Sequence, residues 1–180
     1  FIYFYVHLSN EIRKPLKTYE DNIIVEIKKG YNSKNIFKVL SKNNIINNKL
    51  IYEFAILYKK KNYLPKYGQY YIQKNLSLLE IFEIFNNGES IQHKITIPEG
   101  LITNEILSII EKNKILSGEI DPSFSELEGI FLPETYFFTK GYSRNDLLLR
   151  MKSKMNKELD YEWENRQKNL PYESKFDALK

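Results

Sequence analysis

NIIVEIKKG, residues 22–30, is the stretch on which the fold turns. Its β-branched residues and the closing Gly30 read as a strand that ends in a turn. A strand needs a partner, and QYYIQ at 69–73, short, aromatic and introduced by LPKYG, supplies one. Two helical patterns lie between. In NSKNIFKVLSKNN, Ser33 is the expected N-cap, and Ile36, Phe37 and Leu40 fall on one face. From about 47 to 61, Leu50, Ile51, Phe54, Leu57 and Tyr58 recur at helical spacing, which predicts a second helix that buries this stripe. The unit is therefore strand, helix, helix, strand, with antiparallel strands at 22–30 and 68–73 and both helices on one face.

Downstream, Ser77 and Glu80 in SLLE form a capping box. Leu78, Ile81, Phe82 and Phe85 give the helix a buried stripe, and Gly88 in NNG terminates it in the left-handed conformation. IQHKITI at 91–97 alternates like a strand, and PEG at 98–100 turns it. ITNEILSIIEKN is amphipathic through Ile106, Leu107, Ile109 and Ile110. Ser143 and Asp146 open a long helix whose Leu148, Met151, Met155, Leu159 and Trp163 keep one face. NLPYESKFDALK at 169–180 reads as a loop and the first turns of another helix. If that helix is unfinished, the core from Phe124 to Phe138 is expected to lack part of its cover.

LEGIFLPETY at 127–136 places Glu128 and Glu134 around a Gly and a Pro in an apolar, aromatic run. A carboxylate buries only with a partner, so each must reach solvent, pair with a cation or face a cleft. Gly129 and Pro133 predict an irregular segment through Phe138, because Pro133 removes a donor from any central strand.

Composition narrows the class. The chain has 180 residues, 42% of them apolar and 14% aromatic, enough for a packed globular core. Its net charge of +4 does not read as a nucleic-acid footprint, because 23 of the 27 basic residues are Lys, spread along the chain, and only 4 are Arg. With no Cys there is no disulfide framework and no thiolate metal site, and the lone His7 and His93 lack zinc-type spacing. FIYFYVHL at the start is far shorter than the ~20 apolar residues of a span. We expect it to be the last turns of a membrane helix, with Tyr3 and Tyr5 as interfacial aromatics; the alternative is a buried strand.

VEIKKG, IFKVL, YGQYYI, SLLEIFEIFNNG, ITIPEG and LEGIFLPETY, in this order, resemble the endolytic murein transglycosylases, the YceG-like or MltG group. IPEG at 97–100 and EGIFLPETY at 128–136, about 30 residues apart, are the specific pieces. PETY stands where PDTY is commoner, and YGQYYI departs from the usual LysM ending. The resemblance implies an α+β chain: the end of a transmembrane anchor and a juxtamembrane linker at 1–20, a LysM-like module at 21–95, and the amino-terminal part of the catalytic domain at 96–180. It implies cleavage of the MurNAc–GlcNAc β-1,4 bond of nascent peptidoglycan to 1,6-anhydro-MurNAc ends, without cofactor or metal.

By the same resemblance, the acid/base Glu lies in an A-S-I-[IV]-E-K-E segment beyond Lys180, so these 180 residues alone are expected to be inactive. Glu128, Glu134, Thr135 and Tyr136 would line the glycan cleft. The alternative is that Glu128 caps a neighbouring helix and Tyr136 belongs to the core. Glu99 is expected to satisfy amide donors at the start of the following helix. The implied partners are glycan strands, the cytoplasmic membrane through a single-pass anchor with the domain outside, and cell-wall synthases, with no nucleic acid. Two competing readings are a non-catalytic LysM-type glycan-binding module and a basic scaffold that touches lipid or nucleic acid.

Overall fold

The computed structural model describes residues 2–17, 21–59, 63–167, 169–175 and 177–178. Phe1, residues 18–20 of the expected linker, 60–62 at the end of the second predicted helix, and Leu179 and Lys180 of DALK lie outside them. The chain is α+β and forms two compact units: Phe1–Gln92 with Thr139–Gly141, and His93–Phe138 with Tyr142–Lys180.

The first unit contains α1 (Ile2–Glu11), β1 (Ile23–Ile27), α2 (Ser33–Lys42), α3 (Lys49–Lys59), β2 (Gly68–Ile72) and α4 (Leu78–Asn87). β1 and β2 pair antiparallel, with Val25 opposite Tyr70 and Ile27 opposite Gly68. Alternation sends Val25, Ile27, Tyr70 and Ile72 inward and leaves Ile24 and Tyr71 exposed. The core is aromatic: Tyr52 meets the edge of Phe82 at 5.6 Å, and Tyr70 meets Phe85 at 4.9 Å. Its phenols find acceptors, Tyr52 donating to the Ser33 carbonyl at 2.9 Å and Tyr70 to the Lys66 carbonyl at 2.7 Å. Gly68 is required by space as well as by its φ of 147°, because a Cβ there would lie 2.8 Å from that of Ser90.

α4 follows its sequence pattern. Ser77 and Glu80 cap it reciprocally, Gly88 ends it at φ 74°, and Leu78, Ile81, Phe82 and Phe85 are all buried. Two other helices differ from expectation. α2 is capped by Asn32 rather than Ser33, because Asn32 and Asn35 exchange side-chain to backbone bonds and Ser33 becomes the first helical residue. In α3 the predicted stripe is only half buried: Ile51, Phe54 and Tyr58 pack against a core that takes Tyr52 and Ala55, while Leu50 and Leu57 at the stripe's outer edge are exposed. Periodicity identifies a face and does not say on which side of the helix the core lies.

The amino-terminal run is helical, not a buried strand, and α1 itself has no buried residue. The chain after it is built into the unit. Ile12 is fully buried, the Leu16 amide donates to the Leu76 carbonyl at 2.9 Å, and Pro15 bridges to Ser77. No helix among the described residues is long and apolar enough to cross a membrane.

The second unit holds most of β3 (Gln92–Thr96) and β4 (Thr135–Thr139), with α5 (Thr103–Lys112), a 3-10 turn at Pro122–Glu126 and α6 (Arg144–Glu164). β4 corrects the expected irregular segment. Pro133 precedes the strand by two residues, so its missing donor lies outside the ladder, and TYFFT alternates Tyr136 and Phe138 inward with Phe137 outward. Phe124, Phe131, Tyr136 and Phe138 are buried with Leu147, Leu148 and Met151 of α6 and Ile106 and Ile110 of α5, so the expected uncovered core is closed. The long helix keeps its predicted face, but only its first two turns are buried. The described residues after 168 form a single turn, Asp177 and Ala178 donating to the Ser174 carbonyl, rather than several turns of helix.

Candidate functional site

The two motifs meet in the second unit. The Ile97 amide of IPEG donates to the Glu134 carbonyl of PETY at 3.1 Å, and the Thr96 and Thr135 hydroxyls are 2.9 Å apart. His93 lies beside Phe138, so the contacts run in opposite directions along β3 and β4, as in an antiparallel pair. Two short motifs separated in sequence thus form neighbouring stretches of one small sheet.

Glu128 ties its motif to the helix that follows IPEG. Its carboxylate accepts from the Thr103 amide at 3.1 and 3.3 Å, and the Thr103 hydroxyl donates to the Leu127 carbonyl. Glu105 accepts from the Ile102 amide at 3.0 Å. The opening amides of α5 are therefore met by Glu128 and Glu105, and the exposed Glu99 has no such bond. An acceptor brought by the following loop has taken the place expected for the residue just before the helix.

Glu134 pairs with Lys154 of α6 at 2.6 Å, both side chains being partly exposed. Tyr136 points the other way, into the core, and its hydroxyl donates to the Leu132 carbonyl at 2.7 Å. Burial and the Glu134 charge push the Tyr136 phenol up to about 12, against the opposing pull of Arg150. Of the four residues named from the sequence, Glu134 and Thr135 share the open end of the sheet, Glu128 sits at the start of α5, and Tyr136 supports the sheet from beneath.

The sequence reading missed the cations. Arg150 lies 5.4 Å from the ring centres of both Tyr136 and Tyr142, and it donates to the Phe137 carbonyl at 2.8 Å. Lys154, one turn on, lies 5.3 Å from the Tyr136 ring. This spacing of four on a helix puts both cations over one side of β4. Among the described residues, the two buried polar atoms without a partner, His93 Nε2 and Arg150 Nε, both flank that strand. The sequence reading alternates Phe131, Leu132, Tyr136 and Phe137 between core and groove; of these Phe131 and Tyr136 are buried, while Phe137, 59% exposed, faces outward. A signal was present: in a chain with 4 Arg, each Arg marks a place where a planar fork is wanted.

The Thr96 and Thr135 hydroxyls and the Glu134–Lys154 pair therefore sit together at this end of the sheet, beside the buried Tyr136 ring. Such a set suits hydrogen bonding to the hydroxyl and amide groups of a sugar. No group of three metal-ligating side chains occurs among the described residues.

A profile of the YceG-like family matches residues 25–180. The crystal structure of a protein of Listeria monocytogenes designated YceG-like is similar over 81% of this chain and 57% of that one, at 22% identity and a TM-score of 0.40. The chain thus spans less than two thirds of that protein's length. No curated protein matches. With the profile running through both units and both motifs, the chain belongs to the YceG-like family.

Proposed function

We propose that this chain supplies the LysM-like module and the amino-terminal part of the catalytic domain of an endolytic lytic transglycosylase of the bacterial cytoplasmic membrane. Its substrate is the MurNAc–GlcNAc β-1,4 bond of nascent glycan strands, and cutting it ends strand elongation. The observation that carries the reading is the family match across IPEG and EGIFLPETY, two motifs that pair through Ile97 and Glu134. The strand-helix-helix-strand frame of the first unit supports a LysM-like module, the exposed aromatics of α1 support a membrane anchor, and the proposed glycan substrate requires the units to be on the extracytoplasmic side. Cell-wall synthases are the natural neighbours of such an enzyme.

In this mechanism one carboxyl group protonates the leaving oxygen and then, as carboxylate, takes the proton of the muramic acid C6 hydroxyl as that oxygen attacks the anomeric carbon. No water enters, no cofactor is needed, and the product is a 1,6-anhydro end. Glu128 accepts from an amide and Glu134 from an ammonium, so neither offers a proton to a leaving oxygen from its observed position. We assign the acid/base role to a Glu outside these 180 residues. Glu134 and Thr135 contact the sugar, while Glu128 and Tyr136 hold the motif in place.

The test incubates uncrosslinked glycan strands with the chain and with a form extended by the family's carboxy-terminal segment. Only the extended form is expected to release products, all with anhydro ends, and its E-K-E glutamate replaced by Gln should release none. Hydrated reducing ends would mean a hydrolase, and full activity of the 180 residues would place the acid at Glu128 or Glu134. Strand binding by residues 21–95 with no cleavage by either form would favour a glycan-binding module.

A further inference from the structure

α3, KLIYEFAILYK, is apolar around most of its circumference. Tyr52 and Ala55 enter the core, and the opposite side shows Leu50, 69% exposed, and Leu57, 71% exposed, almost in line along the helix with the half-buried Phe54 between them. Residues at i, i+4 and i+7 make a stripe, which is different from scattered exposure. α1 lies beside it. Tyr5 meets Phe54 edge-on at 5.6 Å, and Arg13 sits over the Tyr58 ring at 5.4 Å. Ile2, Phe4, Tyr5 and Leu8 join Phe54 around an apolar depression of about 420 Å³, which makes the two helices one continuous surface.

The composition of that surface chooses its occupant. Leucines and aromatics occupy the centre, and Tyr3 and Tyr5, with polar tips on apolar rings, are exposed on α1. Where the chain leaves α1, Arg13 bonds the Tyr58 hydroxyl rather than a carboxylate, and Lys14 and Lys17 lie beside Ile51 of α3; among the described residues the acid paired in this group is Glu11, with Lys14. An apolar face with interfacial aromatics and a basic margin is what an anionic lipid surface receives.

We propose that the outer stripe of α3, Leu50, Phe54 and Leu57, lies in the headgroup region of an anionic bilayer beside α1. The proposal rests on the anchor reading of α1. It adds a second, lateral contact that holds the first unit against the membrane rather than letting it swing from a tether.

The chain has no Cys, so a single introduced thiol can carry an environment-sensitive fluorophore at a chosen place. Labels go on Leu50→Cys and Leu57→Cys in the stripe, Phe4→Cys in α1, and Leu64→Cys, which is exposed off the stripe. With vesicles of phosphatidylcholine and phosphatidylglycerol, blue shifts are expected at 4, 50 and 57 and none at 64. The double variant Leu50→Ser/Leu57→Ser should keep its melting temperature and bind vesicles about tenfold more weakly. A shift at 4 with none at 50 or 57 overturns the proposal and leaves the anchor reading standing. No shift at any of the three overturns both. A shift at 57 that grows with protein concentration and needs no lipid assigns the stripe to a second copy and also overturns the proposal.

Discussion

In the first unit α2 and α4 are closed by their own neighbours, whereas in the second α5 draws on residues far along the chain as well as on its own Glu105, although α6 keeps a local cap in Ser143. Asn32 with Asn35 caps α2, and Ser77 with Glu80 caps α4. By contrast, α5 takes its amino-terminal cap from Glu128, 25 residues away. At its other end the Arg144 guanidinium holds the carbonyls of Ile110, Glu111, Asn113 and Gly118 at 3.3, 3.1, 2.9 and 2.6 Å. A local cap is present as soon as its helix forms, but a distant one must first close a loop against chain entropy. The helices α2 and α4 are thus specified by short words and α5 by agreement between separated words, and six variants test this contrast.

The largest effect is expected inside the first unit. Phe82, fully buried against Tyr52 and Tyr63, should cost about 4 kcal/mol as Phe82→Ala. Hydrogen exchange resolved along the chain would locate the loss, and equal loss in both units would break the contrast. Next is Arg144→Ala, which leaves four carbonyls to find other donors and should destabilise the second unit by about 2–3 kcal/mol. Arg144→Lys should recover little of this, because an ammonium cannot span a planar fork's set of acceptors. Trp163, the single Trp, reports that unit by fluorescence.

The same contrast sets what was legible in the sequence. Every feature of α4 could be read, because stripe, box and terminator lie within a dozen adjacent residues. The α3 stripe could be read as a period but not as a direction, since Leu50 and Leu57 repeat just as regularly outside the core as inside. β4 was hidden by Pro133, whose effect stops one residue before the strand. The order of IPEG and PETY identified the family, but the pairing of Glu134 with Lys154 and the seat of Arg150 over Tyr136 arise only when α6 packs on the sheet. An amphipathic reading of α6 looks at its apolar face and passes over the cations beside it.

Smaller effects sharpen the comparison. Ser77→Ala and Glu128→Gln each weaken one helix start, and each should cost about 1 kcal/mol in its own unit. Acid adds a test of the first. The hydrogen bonds from the Ser77 hydroxyl and amide lower the Glu80 carboxyl below its ordinary value. Its contribution is therefore present above the unfolded value and is lost as pH falls through the lowered one, and Ser77→Ala should flatten this acid limb in a denaturation series.

The smallest effect lies at the alkaline end. Burial raises Tyr70 in the first unit to about 12, and burial with the Glu134 charge raises Tyr136 in the second to about 12. A raised phenol favours folding below the unfolded value near 10 and loses that contribution as pH climbs through about 12. Tyr136→Phe should remove the alkaline sensitivity of the second unit alone, as read by its denaturation midpoint at successive pH values. If both units lose their sensitivity together, they do not titrate as separate bodies.

The dependence of α5 on Glu128 and Arg144 also has a consequence in time. A chain emerges from the ribosome in order, and both residues that close this helix follow it. At about 5–20 residues per second, residues 103–112 spend on the order of seconds outside the tunnel before Glu128 and Arg144 can reach them. The first unit carries its own caps and can settle as it appears, while α5 waits for its clasp. Nascent chains stalled before residue 144 should therefore expose this segment to protease and to chaperones, and chains stalled well beyond α6 should hide it.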